Sequence, residues 1–285
     1  MKHQRKPRRR MPACVLSGAL AFLVAISCTQ GPSGGLALID PIFDALVPDA
    51  AGQFRRVAGR LVVLPKEKAS AAMHAAIDRA SPSWVLLSPL LRVEVPGLLA
   101  SRPDLKIACM GQGSPDTAAG SVYTVRFSDR EAADLAGTVL ATESMSMEDN
   151  GHGILVAGIF SGKDADASAR AFSEAFSAAA GGLVPILEVE PSGWSTEAAD
   201  RLRERDIRLA YVSASTADVK RWTEASFDES VRFIVMAPPM EYPALPRAFG
   251  TITWDMGASL LSLIGRIRAE IPGEWPGTWQ FVRQE

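Results

Sequence analysis

The sequence has few residues that could form a covalent cross-link or hold a metal ion. Its 285 residues include three cysteines and three histidines. Cys14, Cys28 and Cys109 lie far from one another, and so do His3, His74 and His152. No pair of these residues has the spacing of zinc ligands. We therefore expect no metal site and no bound cofactor.

The sequence also lacks the motifs of common enzyme classes. It has no Gly-x-Ser-x-Gly elbow and no recognisable Ser-His-Asp set. The Gly162-Lys163 pair after an apolar run is suggestive of a phosphate loop, but Gly158 is one residue too close. Asp164 stands where that motif needs a Mg²⁺-binding hydroxyl, and its carboxylate would repel phosphate. We predict that the chain is not an enzyme.

Long apolar runs are absent except at the start of the chain. Residues 1–10 carry six basic side chains and no acidic one, and residues 11–27 are mostly apolar or small. This stretch ends at Cys28, which is preceded by Ala25, Ile26 and Ser27. A basic start, an apolar stretch and small residues before a break are the parts of an export signal. The segment resembles a bacterial lipoprotein signal, which implies cleavage after residue 27 and lipidation of Cys28. An ordinary signal peptide or an uncleaved anchor is the alternative.

Removal of the signal changes the charge of the chain. The remaining residues have 24 basic and 32 acidic side chains, which gives a net charge of about −8. A nucleic acid partner would require a basic surface, so the balance argues against one. It also argues against electrostatic docking on an anionic lipid surface. Residues 28–35 are small and polar, which predicts a short tether behind the lipid.

Short apolar runs alternate with amphipathic stretches through the rest of the sequence. This order predicts an α/β fold with two Rossmann-like lobes, parallel sheets and a ligand cleft between the lobes. We place the N-terminal lobe at 36–126, completed by 256–285, and the C-terminal lobe at 127–255. The predicted strands lie at 36–39, 60–64, 84–87, 106–110, 121–125, 153–160, 184–189, 207–213, 232–237 and 250–254.

Three stretches carry a resemblance to a known family. They are 125–141, with Phe127, Glu131 and Gly137, then 153–176, and 254–282 with its Gly-x-x-Pro-Gly turn. Each is similar to the type I periplasmic solute-binding proteins, and closest to the basic membrane lipoprotein family that binds nucleosides. The resemblance implies a monomeric, lipid-anchored substrate-binding protein of an ABC-type importer. Its partners would be a small solute and a permease in the cytoplasmic membrane.

Polar and aromatic residues near the predicted strand ends are the candidate ligand contacts. Phe43 is interpreted either as a platform on which a ligand ring stacks or as a core residue. Asp44 is interpreted either as an acceptor for ligand hydroxyls or as a surface residue of a helix. Ser215 and Asp255 are interpreted as ligand contacts or as helix caps. The complete candidate set is Phe43, Asp44, Ser88, Gln112, Ser161, Lys163, Ser215 and Asp255.

The resemblance implies capture of a small polar solute. Together with Phe43 it favours a nucleoside as the first ligand class, with a sugar as the second. The alternative is a ligand sensor, or a non-transport surface lipoprotein on the same fold whose cleft has degenerated. A polar, aromatic-lined cleft would favour solute binding, whereas an apolar, filled cleft would favour the interaction protein.

Overall fold

The structure is a computed structural model that describes residues 34–47, 49–112, 120–147, 155–190, 195–213, 221, 231–236 and 248–284. Two six-stranded sheets form two lobes. The predicted α/β fold with mostly parallel sheets is confirmed. No helix among the described residues is long and apolar enough to span a membrane.

The first lobe is built around a sheet of six parallel strands in the order β11-β5-β4-β3-β1-β2. Its strands are β1 Gly35–Ile39, β2 Leu61–Val63, β3 Trp84–Leu87, β4 Lys106–Gln112, β5 Val122–Phe127 and β11 Gly273–Pro276. Its helices are α1 Pro41–Leu46, α2 Ala50–Ala58, α3 Ala69–Ala80, α4 Val95–Ser101 and α8 Met256–Arg268, with a 3₁₀ helix at Pro89–Glu94.

The second lobe has the strand order β12-β10-β9-β8-β6-β7, with β12 the one antiparallel strand among its described pairings. Its strands are β6 Val156–Ser161, β7 Ile186–Glu190, β8 Leu209–Ser213, β9 Arg232–Met236, β10 Ala248–Trp254 and β12 Trp279–Arg283. Its helices are α5 Asp129–Ser146, α6 Ala165–Ala179 and α7 Thr196–Glu204.

The chain crosses between the lobes three times, and the third crossing corrects the expected lobe boundary. It crosses from β5 to α5, from β10 to α8, and from β11 to β12. The prediction that 256–285 completes the first lobe is wrong for β12, which pairs with β10 in the second sheet. The predicted turn at 273–277 is also wrong in part, because Gly273–Pro276 pairs with β5 as a strand.

The predicted strands agree with the observed ones to within a few residues. The amphipathic stretch 43–56 is divided between two helices, α1 and α2. The division follows from Pro48, since a residue before proline is driven out of the α region. Val47 is accordingly extended (φ −111°, ψ 102°), and Asp49 lies in the left-handed region (φ 62°) before α2 begins.

Candidate functional site

The carboxyl ends of the two sheets meet at the three crossings, and an aromatic cluster holds them together. Phe127 ends β5 in the first lobe, and Trp254 ends β10 in the second. Their rings stack at 4.1 Å with an interplanar angle of 8°. Trp279, at the start of β12, contacts the Phe127 ring edge-on at 5.7 Å. Each crossing thus contributes one buried aromatic residue to a single contact between the lobes.

Backbone hydrogen bonds fix the second and third crossings beside this cluster. The Asp255 amide donates to the Thr278 carbonyl at 2.8 Å, and the Gly277 amide donates to the Arg126 carbonyl at 2.7 Å. The Thr278 amide donates to the Ser259 hydroxyl at 3.0 Å. A Cβ at Gly277 would lie 2.5 Å from the Phe127 ring, so a side chain there would displace the cluster. The crossings are therefore a packed joint rather than three separate linkers.

Glu131 is a titratable group in the first turn of α5, next to this joint. Burial raises the pKa of the Glu131 carboxyl, and the Ser128 backbone amide, the charges of Arg126 and Arg130, and the Trp279 indole oppose the shift. One carboxylate oxygen is buried without a hydrogen-bond partner among the described residues. The ionised form is therefore less stable in the folded protein than in the unfolded chain.

We expect Glu131→Gln to make the protein more stable than wild type at pH 7. A raised folded-state pKa means that Glu131 stabilises the fold only when protonated, and this stability is lost as pH rises from the unfolded pKa through the folded one. The advantage of the variant should shrink as pH falls through the raised folded-state pKa, and it should be largely lost by about pH 4, the ordinary pKa of glutamate. Urea unfolding at several pH values measures it. An advantage that grew with acidity would contradict this account.

Two of the predicted contacts on the first lobe are buried side chains. Phe43 is fully buried and packs against Phe54 with ring centroids 5.8 Å apart, so its ring offers no platform to a ligand. Ser88 is also fully buried. Its hydroxyl accepts from the Asp40 amide at 3.1 Å and donates to the Asp40 carboxylate at 2.7 Å. The other Asp40 oxygen caps α1, so this pair links β3 to the start of that helix.

Other predicted contacts lie at the carboxyl ends of the strands. Gln112, at the end of β4, is exposed and donates to the Asp129 carboxylate at 3.2 Å. Ser161 ends β6 and is partly exposed, and Lys163 is exposed in the loop that follows. These groups come from both sheets. They can donate to a ligand and accept from it, as recognition of a polar solute requires.

The remaining candidates have different positions. Asp255 caps α8, accepting from the Ala258 amide at 2.9 Å, so the predicted capping role is observed. Asp44 is partly exposed in the first turn of α1. Ser215 and Cys28 lie outside the described residues. Within the described ranges, no group of histidine, cysteine and carboxylate side chains could hold a metal ion.

Exposed aliphatic side chains accompany the polar ones on the first lobe. Ile42 follows β1, Val63 ends β2, and Leu90 and Val93 follow β3. Their exposed fractions are 51%, 43%, 41% and 80%. The carboxyl end of this sheet therefore presents apolar as well as polar side chains.

Sequence reasoning missed the aromatic joint. Phe127 and Trp254 lay within the stretches that carried the family resemblance, but they were interpreted as part of a pattern or as packing residues. Their position was the available signal, because Trp254 is the last residue of a predicted strand and Phe127 lies two residues after another. Only the three-dimensional structure shows that the Phe127 and Trp254 rings lie against each other.

Comparison with known proteins identifies the fold. No protein-family profile and no curated protein matches the sequence. A solved transcriptional activator of the comK gene from Bacillus halodurans superposes with a TM-score of 0.56 at 8% identity, covering 86% of this chain and 89% of that one. The glucose-galactose binding protein GanP from Geobacillus stearothermophilus gives 0.47 at 15% identity, covering 88% and 98%.

A third solved structure is the LpoA C-domain from Haemophilus influenzae, a regulator of PBP1A. It gives a TM-score of 0.48 at 10% identity, covering 88% of this chain and all of that one. Identities this low establish similarity of fold alone. The two α/β lobes of this chain share their fold with the comK activator structure.

Proposed function

We propose that this chain is a lipid-anchored substrate-binding protein of an ABC-type importer, which captures a small polar solute between its lobes. In this proposal Cys28 carries the lipid and a permease in the cytoplasmic membrane receives the solute. The chain makes and breaks no bond. Its contribution is to bind the solute and to change the relative position of the lobes.

The observation that supports this proposal is the meeting of the two carboxyl edges at the aromatic joint. In open α/β sheets, ligands bind beyond the carboxyl ends of the strands. The stacked rings of Phe127 and Trp254 bring two such edges together. Gln112 from the first sheet, and Ser161 and Lys163 from the second, then supply polar groups from opposite sides.

The chemistry of these groups favours a solute rich in hydroxyls. Carboxylate, amide, hydroxyl and ammonium groups together can bind both the donor and the acceptor of each solute hydroxyl. Burial of Phe43 removes the ring platform on which preference for a nucleobase depended. A nucleoside, held through its ribose, and a free sugar therefore remain as the two ligand classes, and Asp44 and Ser215 remain proposed contacts.

A thermal-shift screen tests this proposal. The chain from Thr29 to Glu285 contains every described residue. It should be unfolded, dialysed and refolded before nucleosides, sugars, amino acids and short peptides are added. A solute at 100 times its dissociation constant stabilises the fold by about 2.7 kcal/mol, which should raise the midpoint by roughly 5–10 °C. A shift confined to one hydroxyl-rich class is the expected result.

The second candidate function is an interaction protein on the same fold. The exposed Ile42, Val63, Leu90 and Val93 at the carboxyl end of the first sheet favour it, because a sugar site seldom needs so many aliphatic neighbours. No shift with any solute, in a sample that refolds with a cooperative melt, would replace the importer proposal with this one.

A further inference from the structure

Helices of the first lobe end in arginines, all at the same side of the lobe. The last turn of α2 contains Arg55 and Arg56, that of α3 contains Arg79, and that of α8 contains Arg266 and Arg268. Each of these helices leads into a parallel strand of the first sheet, β2, β3 or β11. Their C-terminal ends therefore lie at the amino ends of the strands, opposite the cleft.

The polypeptide enters the first lobe at this same side. The Arg60 guanidinium donates to the carbonyls of Gly34, Gly35 and Ala80, at 3.3, 3.2 and 2.9 Å, and so joins the start of β1 to the end of α3. Five residues lie between Cys28 and Gly34, so six Cα-to-Cα steps join them. A fully extended chain of that length spans at most about 20 Å. A lipid on Cys28 would therefore hold this side of the lobe close to a bilayer.

We name this side the basal face and define it by its basic residues, Arg55, Arg56, Arg60, Arg79, Arg102, Lys106, Arg266 and Arg268. Its acidic residues among the described ranges are Asp78, Asp104 and Glu270. Asp78 pairs with Arg102, and Glu270 pairs with Lys106. Arg55, Arg56 and Arg79 are exposed and form no ion pair with any described residue. The basal face thus has an excess of five positive charges.

The helix dipole does not account for this excess. Basic residues are favoured in the last turn of any helix. In the second lobe, however, the long helices α5 and α6 have no basic residue in their last turns. The arginines around α7 are matched by acids, with Arg201 on Glu188 and Glu190 and Arg208 on Asp206. The described helix ends of the second lobe therefore carry no comparable excess of positive charge.

An apolar groove adjoins the basal face. It has a volume of about 610 Å³ and runs between β2 and α3, lined by alanines of that helix and by Leu36, Leu61 and Val62. Arg60 and Arg79 also line it. Two guanidinium groups beside an aliphatic groove match an anionic lipid, which has a charged phosphate next to hydrocarbon.

We propose that the basal face docks on an anionic phospholipid surface. This inference rests on the proposed anchor at Cys28, which would bring the face to the bilayer. The net charge of about −8 argued against such docking, but it averages over a chain whose positive charge is concentrated on one side. Docking by the basal face would direct the cleft and the second lobe away from the lipid.

Sedimentation with vesicles tests the docking without requiring an anchor or a solute. The unacylated chain from Thr29 to Glu285 is mixed at low salt with vesicles of phosphatidylcholine, or of phosphatidylcholine with about one-third phosphatidylglycerol. We expect binding only to the anionic vesicles, weakening as salt is raised. At roughly fivefold per basic residue, R55Q/R56Q/R79Q should bind about 100-fold more weakly.

A matched variant removes the same charge from elsewhere. K66Q/R130Q/R170Q neutralises three exposed side chains away from the basal face and should change binding by less than about threefold. Thermal melts establish that both variants are folded. Equal binding to neutral and anionic vesicles would overturn the proposal, and so would equal losses in the two variants. Neither outcome depends on whether a solute binds the cleft.

Discussion

Gly137→Val is expected to lower the free energy of unfolding by about 3 kcal/mol, at the upper end of the usual cost of overpacking. Gly137 lies buried in α5, where that helix crosses α6. A Cβ at this position would lie 2.4 Å from the Phe172 carbonyl oxygen and 3.0 Å from the Phe176 nitrogen. Both atoms belong to the backbone of α6, so no side-chain rotation can relieve the contact and the helices must separate.

Gly265→Ala is the matched control for this prediction. Gly265 is also a helical glycine, exposed in α8, and a Cβ there would meet no atom within 4 Å. Alanine is favoured over glycine inside a helix by up to about 1 kcal/mol, so this variant should be as stable as wild type or slightly more stable. Urea unfolding measures both. Equal effects of the two substitutions would mean that α5 and α6 are not closely packed at Gly137.

Trp254→Ala is expected to cost about 3–5 kcal/mol of stability, as large-to-small changes of buried aromatic residues do. Trp254 is 2% exposed, stacks on Phe127 from the other lobe, and pairs with Trp279 in the adjacent strand. The substitution removes the middle of the joint between the lobes. We therefore also expect the single unfolding transition to divide into two as the lobes lose their coupling.

Trp254→Phe distinguishes the loss of ring stacking on Phe127 from the loss of side-chain volume. The phenyl ring can still stack on Phe127, and the change removes the Trp254 indole N–H, which is buried without a partner among the described residues. We expect it to cost less than about 1.5 kcal/mol and to keep one transition. A Trp254→Ala variant that unfolded in one transition with wild-type stability would show that the joint does not couple the lobes.

The positions of most strands along the chain could be predicted from the sequence, because buried parallel strands are short runs of Val, Ile and Leu separated by helical stretches. Strand β12 could not be assigned to its sheet in this way. Its sequence pattern shows a strand, but pairing with β10 depends on where the third crossing ends. The strand at Gly273–Pro276 was missed for a related reason, since its glycine and proline are typical of a turn.

The site was harder to predict than the fold. Phe43 follows β1 at the correct edge of the sheet, but the turn of α1 that the Asp40 cap begins directs its ring into the core against Phe54. Ser88 lies at the same edge, and Asp40 takes both hydrogen bonds of its hydroxyl. Position along the chain identifies the end of a strand. The direction and partners of a side chain depend on tertiary contacts.

Calorimetric titration of the refolded chain with the solute from the screen tests the central claim most directly. The account predicts one site per chain. Gln112→Ala and Lys163→Ala should each weaken binding by about tenfold, since each lobe supplies one of these groups and a hydrogen bond whose loss leaves the solute group unpaired costs about 1.5 kcal/mol. Arg170→Ala, on the outer side of the cleft loop's helix, should leave the affinity unchanged. Wild-type affinity in both cleft variants would contradict solute capture between the lobes.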